Sequence, residues 1–268
     1  MNHPQYVHGY SSKESKRLQD QAQTLTVLLH HDTIYPANSQ VLEVGCGVGA
    51  QTLILAKNNP ETKIVSLDIS SESVATAKAR VEEVEYGNVS FLQGDLFSLP
   101  FEDETFDYLF VCFVLEHLVR PQMALESLKR ILKTGGSLTV IEGDHGSAYF
   151  HPDSAAAKKA IQCLIDLQAQ TGGNALIGRQ LYPLLHSANY RDVRVSPRMV
   201  YADESLPAMV DGFTRKTFNA MIEGVKEQAI KAKMIEEKEW NKGIRDLYRT
   251  SEKNGVFCYT FFKAVGTK

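Results

Sequence analysis

Residues 41 to 50, VLEVGCGVGA, pass from apolar positions into a turn that holds Gly45, Gly47 and Gly49. Glycine accepts positive φ and lets backbone N–H groups and a helix start approach a ligand with no Cβ in the way. Gly45, Gly47 and Ala50 fit the spacing G-x-G-x-x-G/A, while Glu43, Gly45, Gly47 and Gly49 fit acidic-x-G-x-G-x-G. The two spacings serve different cofactors, so the turn by itself leaves the chemistry open.

Asp68, with Ile69 after it, ends a second apolar run, where an acidic side chain can accept both hydroxyls of a ribose. NAD and S-adenosylmethionine both need that acid. Discrimination comes at Gly94-Asp95-Leu96, which follows a third run. An Asp there can accept a hydrogen bond from the exocyclic amine of adenine, with Leu96 beside the ring, and a dinucleotide fold has no need of it. S-adenosylmethionine also carries a sulfonium and an ammonium, and Glu43, Asp68, Asp95 and Glu116 at strand ends suit a cationic cofactor.

A second set of residues could handle a methyl acceptor. EGDHGS, residues 142 to 147, places Asp144 and His145 where a fifth strand is expected to end, as candidates to orient or deprotonate the acceptor. His117 in LEHL is the rival base. Tyr149, Phe150, Phe213, Phe218 and Met221 could line an apolar acceptor pocket, and Arg179 could pair with an acidic substrate or sit on a helix surface. His3, His8, His30 and His31 have no metal-ligand spacing, and no metal is expected.

These residues need a scaffold, and the hydropathy pattern supplies one. Apolar runs alternate with helical patterns through VLEV, KIVSLDI, NVSFLQGD, FDYLFVCFVL and GGSLTVIEG. Several runs are apolar at consecutive positions, as in parallel strands covered on both faces. PQMALESLKRIL has Pro121 in its first turn and stops before Gly135-Gly136, the start and stop chemistry of a helix. The expected fold is α/β: a doubly wound, Rossmann-like seven-stranded sheet with an antiparallel last strand, an N-terminal helix and a helical insertion between the last two strands. The expected divisions are an N-terminal helical lid over 1–35, a cofactor-binding core over 36–202, a helical substrate cover over 203–254 and the final strand over 255–268.

Composition narrows the partners. The 268 residues carry 29 Lys and Arg against 32 Asp and Glu, so no excess positive charge exists to neutralise a nucleic acid backbone. Cys46, Cys112, Cys163 and Cys258 are far apart and form no C-x-x-C pair, the pattern of reduced thiols. No run reaches the length of a membrane span and no signal peptide is legible, which points to a cytoplasmic, soluble protein.

LEVGCGVG, VSLDIS, FLQGDLFSLPFEDETFDYLFVCFVLEHL and LKRILKTGGSLTVIE, together spanning about residues 38 to 142, resemble class I S-adenosylmethionine-dependent methyltransferases. Within them they resemble the group that includes ubiquinone/menaquinone biosynthesis methyltransferases. The resemblance implies that Glu43, Gly45 and Gly47 hold the methionine part, Asp68 the ribose and Asp95 the adenine, with Phe113 near the methyl. It also implies an N-terminal helix folded over the cofactor, which would bring Tyr6, Tyr10, Arg17 and Gln21 toward the methionine carboxylate. The expectation is a methyltransferase acting on a small molecule; a protein substrate, a nicotinamide oxidoreductase and a non-catalytic cofactor-binding protein are the alternatives.

Overall fold

The computed structural model of the chain describes residues 12 to 268, with side chains from residue 14 onward. Five strands run in parallel: β1 (Gln40–Val44), β2 (Lys63–Asp68), β3 (Val89–Gln93), β4 (Phe106–Cys112) and β5 (Leu132–His151). β7 (Val256–Thr267) lies antiparallel between β5 and β6 (Arg191–Ala202), giving the order β3-β2-β1-β4-β5-β7-β6. The sheet is the doubly wound one expected from the sequence, with its antiparallel last strand. The consecutive apolar positions have a direct cause: Val41 enters one core and Leu42 the other, and Ile141 and Val140 divide in the same way. Each such side chain contributes about 1.5–3 kcal/mol by leaving water.

Helices α2 (Ala50–Asn58), α3 (Ser71–Glu83), α4 (Pro121–Ile131), α5 (Ala155–Gln170) and α6 (Leu181–Ser187) cover the sheet faces. Ser70 caps α3 by accepting from the Ser73 amide at 3.2 Å, and Ser154 caps α5 by accepting from Ala157 at the same distance. Pro121 opens α4, where a missing N–H costs nothing. α1 (Ser12–His30) precedes the sheet. Between β6 and β7 the chain forms α7 (Pro207–Met209), a π-helical stretch Val210–Asn219, α8 (Ala220–Glu223), α9 (Lys226–Lys231) and α10 (Glu237–Arg249).

Two local features depart from the sequence reading. β5 does not end at Gly143; its pairing with β7 shifts register between Asp144 and Tyr149 and then continues to His151. The hydroxyl of Ser147 fills the gap in the ladder, donating to the Asp144 carbonyl at 2.7 Å and accepting from the Thr260 amide at 2.8 Å. His145 is thus carried by a bulge inside a strand, a device that re-aims a side chain. The second feature is the π-helical stretch, which widens the turn where a plain α-helix was expected. All four cysteines are buried and unpaired. Among the described residues no helix is long and apolar enough to cross a membrane, and no side-chain cluster could hold a metal ion.

Candidate active site

The carboxyl ends of the parallel strands open on a cavity of about 300 Å³. Gly45 and Gly47 both adopt positive φ, +74° and +51°. A side chain at Gly45 would run into Val114, whereas a Cβ at Gly47 would have no other protein atom within 4 Å. The Asp68 carboxylate braces this turn: Oδ2 accepts from the Gly47 amide at 2.8 Å and Oδ1 from the Ser70 amide at 2.9 Å. One loop along, Asp95 Oδ1 accepts from the Phe97 amide at 2.8 Å. Asp68, Ile69, Asp95 and Leu96 share the cavity wall with the glycine turn.

Glu43 is placed differently. It is buried behind the turn and off the cavity wall, where its Oε2 accepts from Thr52 Oγ1 at 2.7 Å and Ser66 Oγ at 2.6 Å. Burial, reinforced by nearby Asp68, raises its carboxyl to about 7 although the two hydroxyls pull the other way. Its observed contacts tie β1, β2 and α2 together beneath the turn.

Beyond β4, Phe113 faces the cavity with φ +59°, an uncommon conformation for a bulky side chain. The turn that follows is held from below by fully buried Glu142, whose Oε1 accepts from the Val114 amide at 2.9 Å and the Leu115 amide at 2.7 Å. Burial, and then Glu116, raise the Glu142 carboxyl well above the ordinary range. This support presents Glu116 and His117 to the cavity, with Glu116 Oε2 accepting from Gln168 Nε2 at 3.1 Å.

The opposite wall is aromatic. Phe213 and Phe218 come from the π-helical stretch and Tyr259 and Phe261 from β7; the Phe213 and Tyr259 ring centroids are 5.5 Å apart, and those of Tyr259 and Phe261 4.8 Å. Met221 completes this side. His145 reaches the cavity from the β5 bulge, its Nδ1 2.6 Å from the Tyr259 hydroxyl. Burial lowers the pKa of its imidazole. From α1, Arg17, Glu14 and Gln21 close one side: Arg17 holds Glu14 with two bonds of 2.7 and 2.6 Å and Gln21 Oε1 at 3.0 Å.

Several expected residues lie elsewhere. Asp144 is off the cavity wall, because Arg179 grips its carboxylate with bonds of 2.5 and 2.7 Å; Arg179 therefore has a partner within the chain. Tyr149 is exposed beside Met199, and Phe150 is packed in the core. Tyr6 and Tyr10 lie outside the described residues. Tyr259 was not singled out from the sequence, being 114 residues from the histidine it meets. The only available signal was alternation in VFCYTFF, which puts Phe257, Tyr259 and Phe261 on one face. A positive-φ glycine cradle, two carboxylates at neighbouring strand ends and Leu96 beside them form a donor and acceptor set that fits an adenosyl cofactor.

Comparison with known proteins gives the family. The model of a family described as a methyltransferase domain matches residues 36–189, more than half of the chain. An uncharacterised methyltransferase of Schizosaccharomyces pombe is 32% identical over 157 residues, 56% of each chain. Demethylmenaquinone methyltransferase of Bacillus cereus is 36% identical over 105 residues, 39% of this chain and 44% of that one, in line with the resemblance read from the sequence. The chain spans about half the length of the curated relatives it matches. Among solved structures, the YcgJ protein of Bacillus subtilis has a TM-score of 0.57 at 17% identity, covering 92% of this chain and 98% of its own. Phosphoethanolamine N-methyltransferase 2 of Haemonchus contortus, solved with phosphomonomethylethanolamine and S-adenosylhomocysteine, has the same score and identity over 92% of this chain and 52% of its own. At such identities these two structures establish the fold.

Proposed function

Since this chain belongs to the methyltransferase domain family, we propose that it transfers a methyl group from S-adenosylmethionine to a small molecule held in the cavity. The observation that carries this reading is one continuous cavity, walled on one side by the glycine turn, Asp68 and Asp95 and on the other by His145 and the aromatic side chains. When bound, the cofactor supplies an electrophilic methyl on a sulfonium.

The chain's own residues do the rest. Asp68, already oriented by two backbone amides, would accept the ribose hydroxyls, and Asp95 with Leu96 would take the adenine. The Gly45–Gly47 turn leaves room for the methionine part, and Gln21 and Arg17 on α1 would close over it. Phe113, Phe213, Phe218, Met221 and Phe261 would pack against an apolar acceptor and exclude water. Positioning of that kind supplies much of the barrier lowering in a direct displacement. We further propose the divisions read from the sequence: a lid over 1–35, a core over 36–202, a substrate cover over 203–254 and a closing strand over 255–268.

Calorimetry with S-adenosylhomocysteine and, separately, NAD tests the cofactor. Binding of the first in preference to the second is expected. NAD binding without a signal from the adenosyl ligand would sink the reading.

A further inference from the structure

The contact between His145 and Tyr259 carries a consequence for the acceptor. Burial raises the Tyr259 phenol well above its ordinary pKa and lowers that of the His145 imidazole, so both groups are neutral in the fold. A neutral imidazole has one donor nitrogen and one acceptor nitrogen, and its hydrogen-bond network decides which is which. The Tyr259 hydroxyl has one hydrogen-bond partner among the described residues able to take its proton, Nδ1 of His145 at 2.6 Å. Had Nδ1 carried the proton, it would have to donate to the hydroxyl, whose own proton would then have no acceptor among the described residues.

We infer that Tyr259 is a positioning residue that fixes His145 in the Nε2–H tautomer, so that the ring presents a hydrogen-bond donor, not a base, to the acceptor molecule. This rests on the methyl-transfer reading only for the identity of the bound molecule; the tautomer belongs to the protein itself. Around the ring stand Glu116 and His117 on the turn after β4, Arg17 on α1 and Asp144 on β5, the last already paired with Arg179. Nε2 has no protein partner among the described residues, and the ring lines the cavity. A ligand that satisfies it brings an oxygen lone pair: a carbonyl, carboxylate or phenolic oxygen at or beside the methylated atom, attached to an apolar body that fits the aromatic wall. An ammonium group would place donor against donor.

The test is a long-range proton–nitrogen NMR spectrum of the full-length protein labelled with ¹⁵N-histidine, recorded near pH 7.5 without cofactor. His145 is assigned by the signal lost in His145→Gln, or by through-space contacts from its ring to Phe218 and Tyr259 should that variant not fold. A protonated Nε2 and an unprotonated Nδ1 are expected; the reverse pattern overturns the inference. Tyr259→Phe should release the constraint and move the Nδ1 resonance toward a mixture of tautomers, and an unchanged Nδ1 resonance in a folded variant also overturns it. Titrating benzoate and benzylammonium in parallel tests the ligand class. Benzoate should shift the Nε2 signal more strongly, and the opposite order would remove the oxygen acceptor. None of these spectra depends on methyl transfer, so their failure is distinct from failure to bind S-adenosylhomocysteine.

Discussion

At the scale of residues, Asp68 does two jobs, because the carboxylate proposed to hold the ribose also braces the Gly47 amide. Asp68→Ala should therefore weaken S-adenosylhomocysteine binding by roughly 1–3 kcal/mol, and Asp68→Asn by less, since the amide oxygen can still brace the turn. Calorimetry on the two folded variants checks this, and equal affinities across the series would take Asp68 out of the site. Glu43 makes a prediction about pH. Its carboxyl titrates at about 7 in the fold against an ordinary 4.5. Between those values the folded chain holds more protons than the unfolded one, so stability is full below about 4.5 and falls as pH rises toward 7. The whole effect is on the order of 3 kcal/mol. Glu43→Gln keeps an oxygen for Thr52 and Ser66 and should flatten that fall in denaturant melts between pH 5 and 8; a slope equal to the parent's would mean that Glu43 is not its source. Arg179→Ala would leave the Asp144 carboxylate buried and unpaired. A cost of about 1–3 kcal/mol is expected, below the roughly 3–5 kcal/mol of a fully buried pair because Arg179 itself is half exposed, and it is read as a lower melting temperature.

At the scale of elements, the regular parts of the chain were legible because each strand reports its own burial. VLEV, KIVSLDI and FDYLFVC are apolar on consecutive positions, since both sheet faces are covered, and Pro121 and Ser70 mark helix starts by local chemistry. The carboxyl-end acids Asp68 and Asp95 could be read for the same reason. The bulge in β5 could not, because EGDHGS contains the glycines of a strand end and only pairing with β7 carries the strand onward. The π-helical stretch was hidden too, as its apolar spacing is close to that of an α-helix. That stretch packs on α1 through Gly212, where an added Cβ would press on the Thr24 side chain, with Cγ2 at 2.9 Å. Gly212→Ala should push the two elements apart. Faster amide exchange in α1 and weaker cofactor affinity are expected, and unchanged exchange throughout α1 would show that the contact does not hold the roof in place.

At the scale of the whole molecule, one cavity joins the carboxyl ends of the parallel strands to α1, the π-helical stretch and β7. The glycine turn and the acids belong to the segment matched by the methyltransferase family model, whereas Phe213, Phe218, Met221, Tyr259 and Phe261 all lie beyond residue 189. The residues proposed for the cofactor were thus readable from a local motif. Of the proposed acceptor wall, His145, Phe213, Phe218 and Met221 could be named from the sequence, whereas Tyr259 and Phe261 could not, since they meet the others only when α1, the insertion and β7 fold together. The most direct test of the account is to incubate the protein with methyl-labelled S-adenosylmethionine and a cell extract separated into protein and small-molecule fractions. The account predicts label in the small-molecule fraction, lost on adding excess S-adenosylhomocysteine. Label confined to the protein fraction, or none in either fraction from an enzyme that binds the cofactor, would contradict it.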